Sequence, residues 1–71
     1  MNLRELLKAK RWNSSSLSKE LGISRSAVGY WLKGITQPKT EYIKRIAELC
    51  EVESSVVVDA ILETKKQAKV G

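Results

Sequence analysis

A chain of 71 residues is long enough for one small domain and too short for two, because little apolar surface can be withdrawn from water at this size. Its 42% hydrophobic and 30% charged residues are a globular composition; no apolar run approaches the ~18 residues of a membrane span, and no signal peptide is visible. The single cysteine, Cys50, excludes an intramolecular disulfide, and with no histidine the chain lacks the ligands for a zinc site, so a cytoplasmic protein without metal or cofactor is expected.

The net charge is +5 and the pI about 9.6, but the distribution is more informative than the total. Residues 1–39 hold eight Lys or Arg and two acids, a net +6, whereas residues 40–71 hold five bases against six acids, a net −1. The positive field therefore belongs to the N-terminal half, which points to a polyanion such as a nucleic-acid backbone.

Along the chain, Leu3, Leu6, Leu7 and Lys10 follow helical spacing, with Asn2 as N-cap and Glu5 in the first turn, and predict a helix over 3–11. Asn13 is placed to cap a second helix from Ser14 to Leu21, and Trp12 stands at the staple spacing from Leu17. Leu17 and Leu21 face inward, and Gly22 supplies the left-handed residue that ends this helix. The device repeats: Ser24 caps, Ile23 and Val28 form a second staple, and Val28, Trp31, Leu32 and Ile35 make an i, i+3, i+4, i+7 core stripe on a helix over 25–33. That stripe leaves Arg25, Ser26, Gly29, Tyr30 and Lys33 on the remaining surface.

Gly34 stops the third helix, and Ile35 to Lys39 form a loop containing Pro38. Thr40 is expected to cap a fourth helix whose Tyr42, Ile43, Ile46, Ala47 and Cys50 share a face, with Cys50 a small core residue. A fifth helix is expected over 54–65, followed by a frayed basic tail over 67–71, so residues 1–66 form the domain. Trp12 and Trp31 read as core anchors. Gly29 inside a helix costs about 1 kcal/mol relative to Ala, which suggests close approach to helix 2 or to a DNA backbone.

Two short amphipathic segments hinged at Gly22, the second led by Arg25, read as a helix-turn-helix whose second helix enters the DNA major groove. The framework Leu17, Leu21, Gly22, Ile23, Val28 and Trp31, the Gly34 stop with Pro38 beyond it, and the pattern Ile46, Ala47, Leu49, Val52 resemble the lambda-repressor-like, Cro/XRE-type proteins of phages and bacteria. The resemblance covers residues 3–64 and implies an all-α domain of four to five helices, with the helix-turn-helix at helices 2 and 3, in a protein of the bacterial nucleoid or of a phage in its host.

By position, the resemblance implies base contacts from Arg25, Ser26 and Tyr30, with Arg25 suited to guanine O6 and N7 and Tyr30 to a thymine methyl or a phosphate. It implies backbone contacts from Ser14, Lys33, Thr36, Gln37 and Lys39, which position the domain without specifying sequence. Ser14 stands where the family often has Gln and is too short for the same bridge. Ser18 stands in place of a usual Ala, its hydroxyl expected to bond the Ser14 carbonyl, and Leu32 replaces a frequent Glu, removing a possible internal ion pair.

Val56, Val57, Val58, Ala60, Ile61 and Leu62 are more apolar surface than one core stripe needs. A homodimer through Val56, Val58, Ile61 or Leu62 is therefore expected, reading a near-palindromic operator in double-stranded DNA as a Cro-like repressor. Nothing converges as a triad, metal site or phosphate-cradling loop, so no enzyme and no small-molecule ligand is expected. The competing reading is a protein-interaction module, such as an antitoxin whose last helix binds a toxin; a non-specific nucleic-acid binder is a third.

Overall fold

In the computed structural model, which describes residues 1–68, the chain forms five helices and, among those residues, no strand. They are α1 (Leu3–Ala9), α2 (Ser14–Leu21), α3 (Arg25–Leu32), α4 (Thr40–Cys50) and α5 (Ser54–Ala68). The last three residues of the expected tail, 69–71, lie outside the described residues, while Gln67 and Ala68 continue α5 beyond the expected end at Lys65.

The starts of the first three helices are set by local polar chemistry. In α1 the Asn2 Oδ1 accepts from the Glu5 amide at 2.8 Å while the Asn2 amide donates to Glu5 Oε1 at 2.9 Å, a reciprocal capping box. Asn13 and Ser16 do the same for α2, and the Ser24 hydroxyl accepts from the Ala27 amide at 3.1 Å to cap α3. α4 differs from expectation: Lys39 is its N-cap, without a side-chain cap bond, and Thr40 is already the first helical residue.

One device ends the first four helices. A residue in the left-handed region, Arg11 (φ 65°), Gly22 (φ 70°), Gly34 (φ 76°) or Glu51 (φ 57°), lets the following amide close back onto a carbonyl of the last turn. The closing bonds run from the amides of Trp12, Ile23, Ile35 and Val52 to the carbonyls of Leu7, Ser18, Tyr30 and Ala47, at 2.8 to 3.0 Å. α1 therefore stops at Ala9 rather than at Arg11, because Arg11 has left the right-handed region.

The core draws on all five helices: Leu3, Leu6 and Leu7 of α1, Leu17 of α2, Val28 and Trp31 of α3, Ile46, Ala47 and Cys50 of α4, and Val57, Ala60 and Ile61 of α5. Trp31 also meets Tyr42 with ring centroids 5.6 Å apart, tying α3 to α4, and half-buried Leu32 packs against the cluster, as expected of its place on the core stripe. Burial pushes the Cys50 thiol pKa up, against the smaller opposing effect of Lys10. Ser18 is buried as expected of a small residue at a helix contact, but its hydroxyl donates to the Ser15 carbonyl at 2.9 Å, three residues back, and not to Ser14.

α5 lies against α1 and α4 and is also joined to the start of the chain by polar contacts. The Leu3 amide, an orphan donor of the first turn of α1, donates to Thr64 Oγ1 at 2.8 Å, and that hydroxyl donates to the Ala60 carbonyl at 2.8 Å, so buried Thr64 is satisfied on both sides. Asn2 Nδ2 donates to Gln67 Oε1 at 2.7 Å, and the Met1 ammonium pairs with Glu63. The hydrogen bond to Glu63 raises the ammonium pKa, outweighing the opposing effect of desolvation, and the Glu63 and Glu5 charges add to the rise. Gln67, expected in the tail, is thus part of the fold.

Candidate nucleic-acid interface

The helix-turn-helix is built by α2, the Gly22 turn and α3, which pack directly on each other. Leu17 and Ser18 of α2 and Val28 and Trp31 of α3 are its buried contacts, and their side chains leave the opposite side of α3 to solvent. At 100° per residue, Arg25, Ser26, Gly29, Tyr30 and Lys33 fall on one arc of about 140°, centred away from Val28 and Trp31. Arg25, Ser26, Tyr30 and Lys33 are all exposed on that arc, and Gly29 is half-buried.

Arg25 begins α3 immediately after its Ser24 cap, so its side chain leaves from the first turn, and no acidic side chain pairs with it, with Lys33 or with Lys39 among the described residues. A guanidinium on a fixed helix start with its donors unused can meet a guanine edge with two parallel hydrogen bonds. Thr36, Gln37 and Lys39 are exposed in the loop after α3, anchored by buried Pro38 and by the Thr36 amide, which donates to the Tyr30 carbonyl at 3.4 Å. Ser14 is half-buried at the first position of α2, where unpaired helix amides favour an anion.

Two expectations about this surface change. The core stripe on α3 ends at Leu32, and Ile35 is 65% exposed, because the Gly34 reversal takes it off the helix before the i+7 position is reached. Helical spacing alone puts Ile35 in the interior; the signal against this is the glycine immediately before it. A Cβ built on Gly29 meets nothing within 4 Å, so close approach to α2 is not the reason for glycine there.

The apolar residues of α5 also divide. Ile61 is 7% exposed and belongs to the monomer's own core, which removes it from the expected dimer contacts. Val58 and Leu62, 39% and 56% exposed, stand one turn apart on one flank, whereas Val56 lies on the opposite flank with Glu63 and Gln67, the side on which the N-terminal residues dock.

The family described as helix-turn-helix matches residues 3–57, more than half of the chain. The chain belongs to that family, of the Cro/XRE kind, whose members are DNA-binding regulators with the lambda-repressor-like fold. Neither a curated protein nor a solved structure matches it.

Proposed function

We propose that this helix-turn-helix protein is a sequence-specific Cro-like repressor, which binds a near-palindromic operator as a homodimer and blocks access to a promoter. The observation that carries the reading is the arc on α3. Arg25, Ser26 and Tyr30 are solvent-facing on a helix whose other side is anchored by Val28 and Trp31, so the reading edge is held by the core itself. In this assignment Arg25, Ser26 and Tyr30 meet base edges, and Ser14, Lys33, Thr36, Gln37 and Lys39 meet phosphates. The five-helix domain, with the expected boundary at residue 66 moved to include Gln67, acts as the DNA-binding unit in the cytoplasm, without a catalytic role or a cofactor.

Pairing supports the same reading. One recognition helix touches too few base pairs to define a long operator, and a two-fold dimer presents two helices about 34 Å apart, one helical turn of DNA. Val56, Val58 and Leu62 remain exposed on α5 for such a contact, and Val58 and Leu62, which share one flank, form its centre.

Selection of bound sites from a random duplex pool tests the proposal. The expected result is an inverted-repeat consensus with half-sites one turn apart and at least one G in each. Retention of duplexes without any consensus would reduce the protein to a polyanion binder, and strong co-purification with a second protein without DNA preference would favour the antitoxin reading.

A further inference from the structure

The four helix ends that share a left-handed closure are each followed by an apolar residue: Trp12, Ile23, Ile35 and Val52. In this motif that residue ordinarily makes an apolar contact back to the last turn of its helix. Trp12, Ile23 and Val52 pack against the core. Ile35 alone points away from it, 65% exposed, and the residue that accepts its amide at 3.0 Å is Tyr30, itself 47% exposed. The helix end that departs from the rule is that of the recognition helix, and no other large hydrophobic side chain among the described residues is as exposed as Ile35.

We propose that Ile35 is a base-reading residue whose side chain packs against the 5-methyl group of a thymine in the major groove, beside Tyr30. The inference rests on the DNA-reading assignment made above and adds a residue outside the helix to it. Three features favour thymine over another apolar occupant. Ile35 is continuous with the exposed arc through its bond to Tyr30; it is bracketed by Lys33 and Lys39, exposed cations without internal partners that suit a phosphate backbone; and its backbone is held by Gly34 (φ 76°) and the closing hydrogen bond, so little order is lost on contact. The thymine methyl is the one apolar group that the major-groove edges present.

The test is a cycle between protein and DNA on the duplex recovered by site selection. That duplex is synthesised with thymidine and with deoxyuridine, singly at each position and throughout, which deletes only the methyl groups. Wild type, Ile35→Ala and Tyr30→Ala are titrated on each, and thermal melts establish that the exposed substitutions leave the fold intact. Wild type should lose about fourfold in affinity at one position, the factor corresponding to about 0.8 kcal/mol for a single methyl-sized group. Ile35→Ala should bind the thymidine duplex more weakly by a similar factor and be indifferent to deoxyuridine at that position. The proposal is overturned if wild type ignores complete replacement by deoxyuridine, if Ile35→Ala keeps the full wild-type sensitivity, or if Tyr30→Ala alone abolishes it. An Arg25→Ala control distinguishes failure of the wider reading: if wild type and Arg25→Ala alike fail to prefer the selected duplex to a random one, the DNA-reading assignment has failed, and the role of Ile35 with it.

Discussion

Arg25 carries the sharpest prediction at the scale of single residues, because its side chain leaves a capped helix start with no internal partner to give up. Arg25→Ala is expected to remove about 1 to 3 kcal/mol of discrimination between operator and mismatched duplex while leaving random-DNA affinity nearly unchanged. Competition titrations measure both quantities, and equal losses on the two DNAs contradict a base contact. Gly29 makes a second test. With nothing within 4 Å of a would-be Cβ and ordinary helical backbone, Gly29→Ala should stabilise the free protein by about 1 kcal/mol, raising Tm by about 4 to 8 °C. If the glycine is there to let the DNA backbone approach, the more stable variant binds operator less tightly; unchanged affinity in a gel-shift titration would exclude that role.

At the scale of elements, the caps of α1, α2 and α3 and the stops of α2 and α3 were legible in the sequence, since Asn2, Asn13, Ser24, Gly22 and Gly34 act within four residues of themselves. The left-handed closures at Arg11 and Glu51 were not, because neither residue type favours that region, and the closing hydrogen bonds form there together with the docking of Trp12 and Val52 onto the core. Gly22 isolates the conformational part of this device. A Cβ there meets no atom within 4 Å, so Gly22→Ala is opposed only by the left-handed backbone, at about 1 to 2 kcal/mol. A drop in Tm of roughly 4 to 8 °C per kcal/mol is expected in calorimetry, with α2 and α3 still formed by circular dichroism. A variant as stable as wild type would show that the turn does not need the left-handed residue.

For the molecule as a whole, charge and pairing are the quantities to measure. The bases of residues 1–39 exceed the acids by six, so binding should weaken steeply with salt. Lys33→Ala and Lys39→Ala should each lower affinity on every duplex and reduce the slope of log K against log salt by about 0.9 for each phosphate that is no longer neutralised. An unchanged slope rules out that lysine as a phosphate ligand. Val58→Asp and Leu62→Asp, exposed and one turn apart on α5, should leave the melting temperature nearly intact and abolish self-association in sedimentation or on the operator. Wild type that remains monomeric at high concentration and on its operator ends the dimer proposal. Ile61→Asp is unsuitable for this purpose, since Ile61 lies in the core and a buried carboxylate there unfolds the domain.

The residue pattern alone determined the helical class, the helix-turn-helix and the arc from Arg25 to Lys33, because caps, glycine stops and 3.6-residue spacing are short-range signals written within one or two turns of chain. Tertiary structure decided which apolar side chains are interior. Ile61 was drawn into the core by α5 packing on α1 and α4, Val58 and Leu62 were left outside it, and Ile35 was turned outward beside Tyr30. Burial of an apolar residue depends on what the rest of the chain brings against it, and that is a long-range property no local spacing contains.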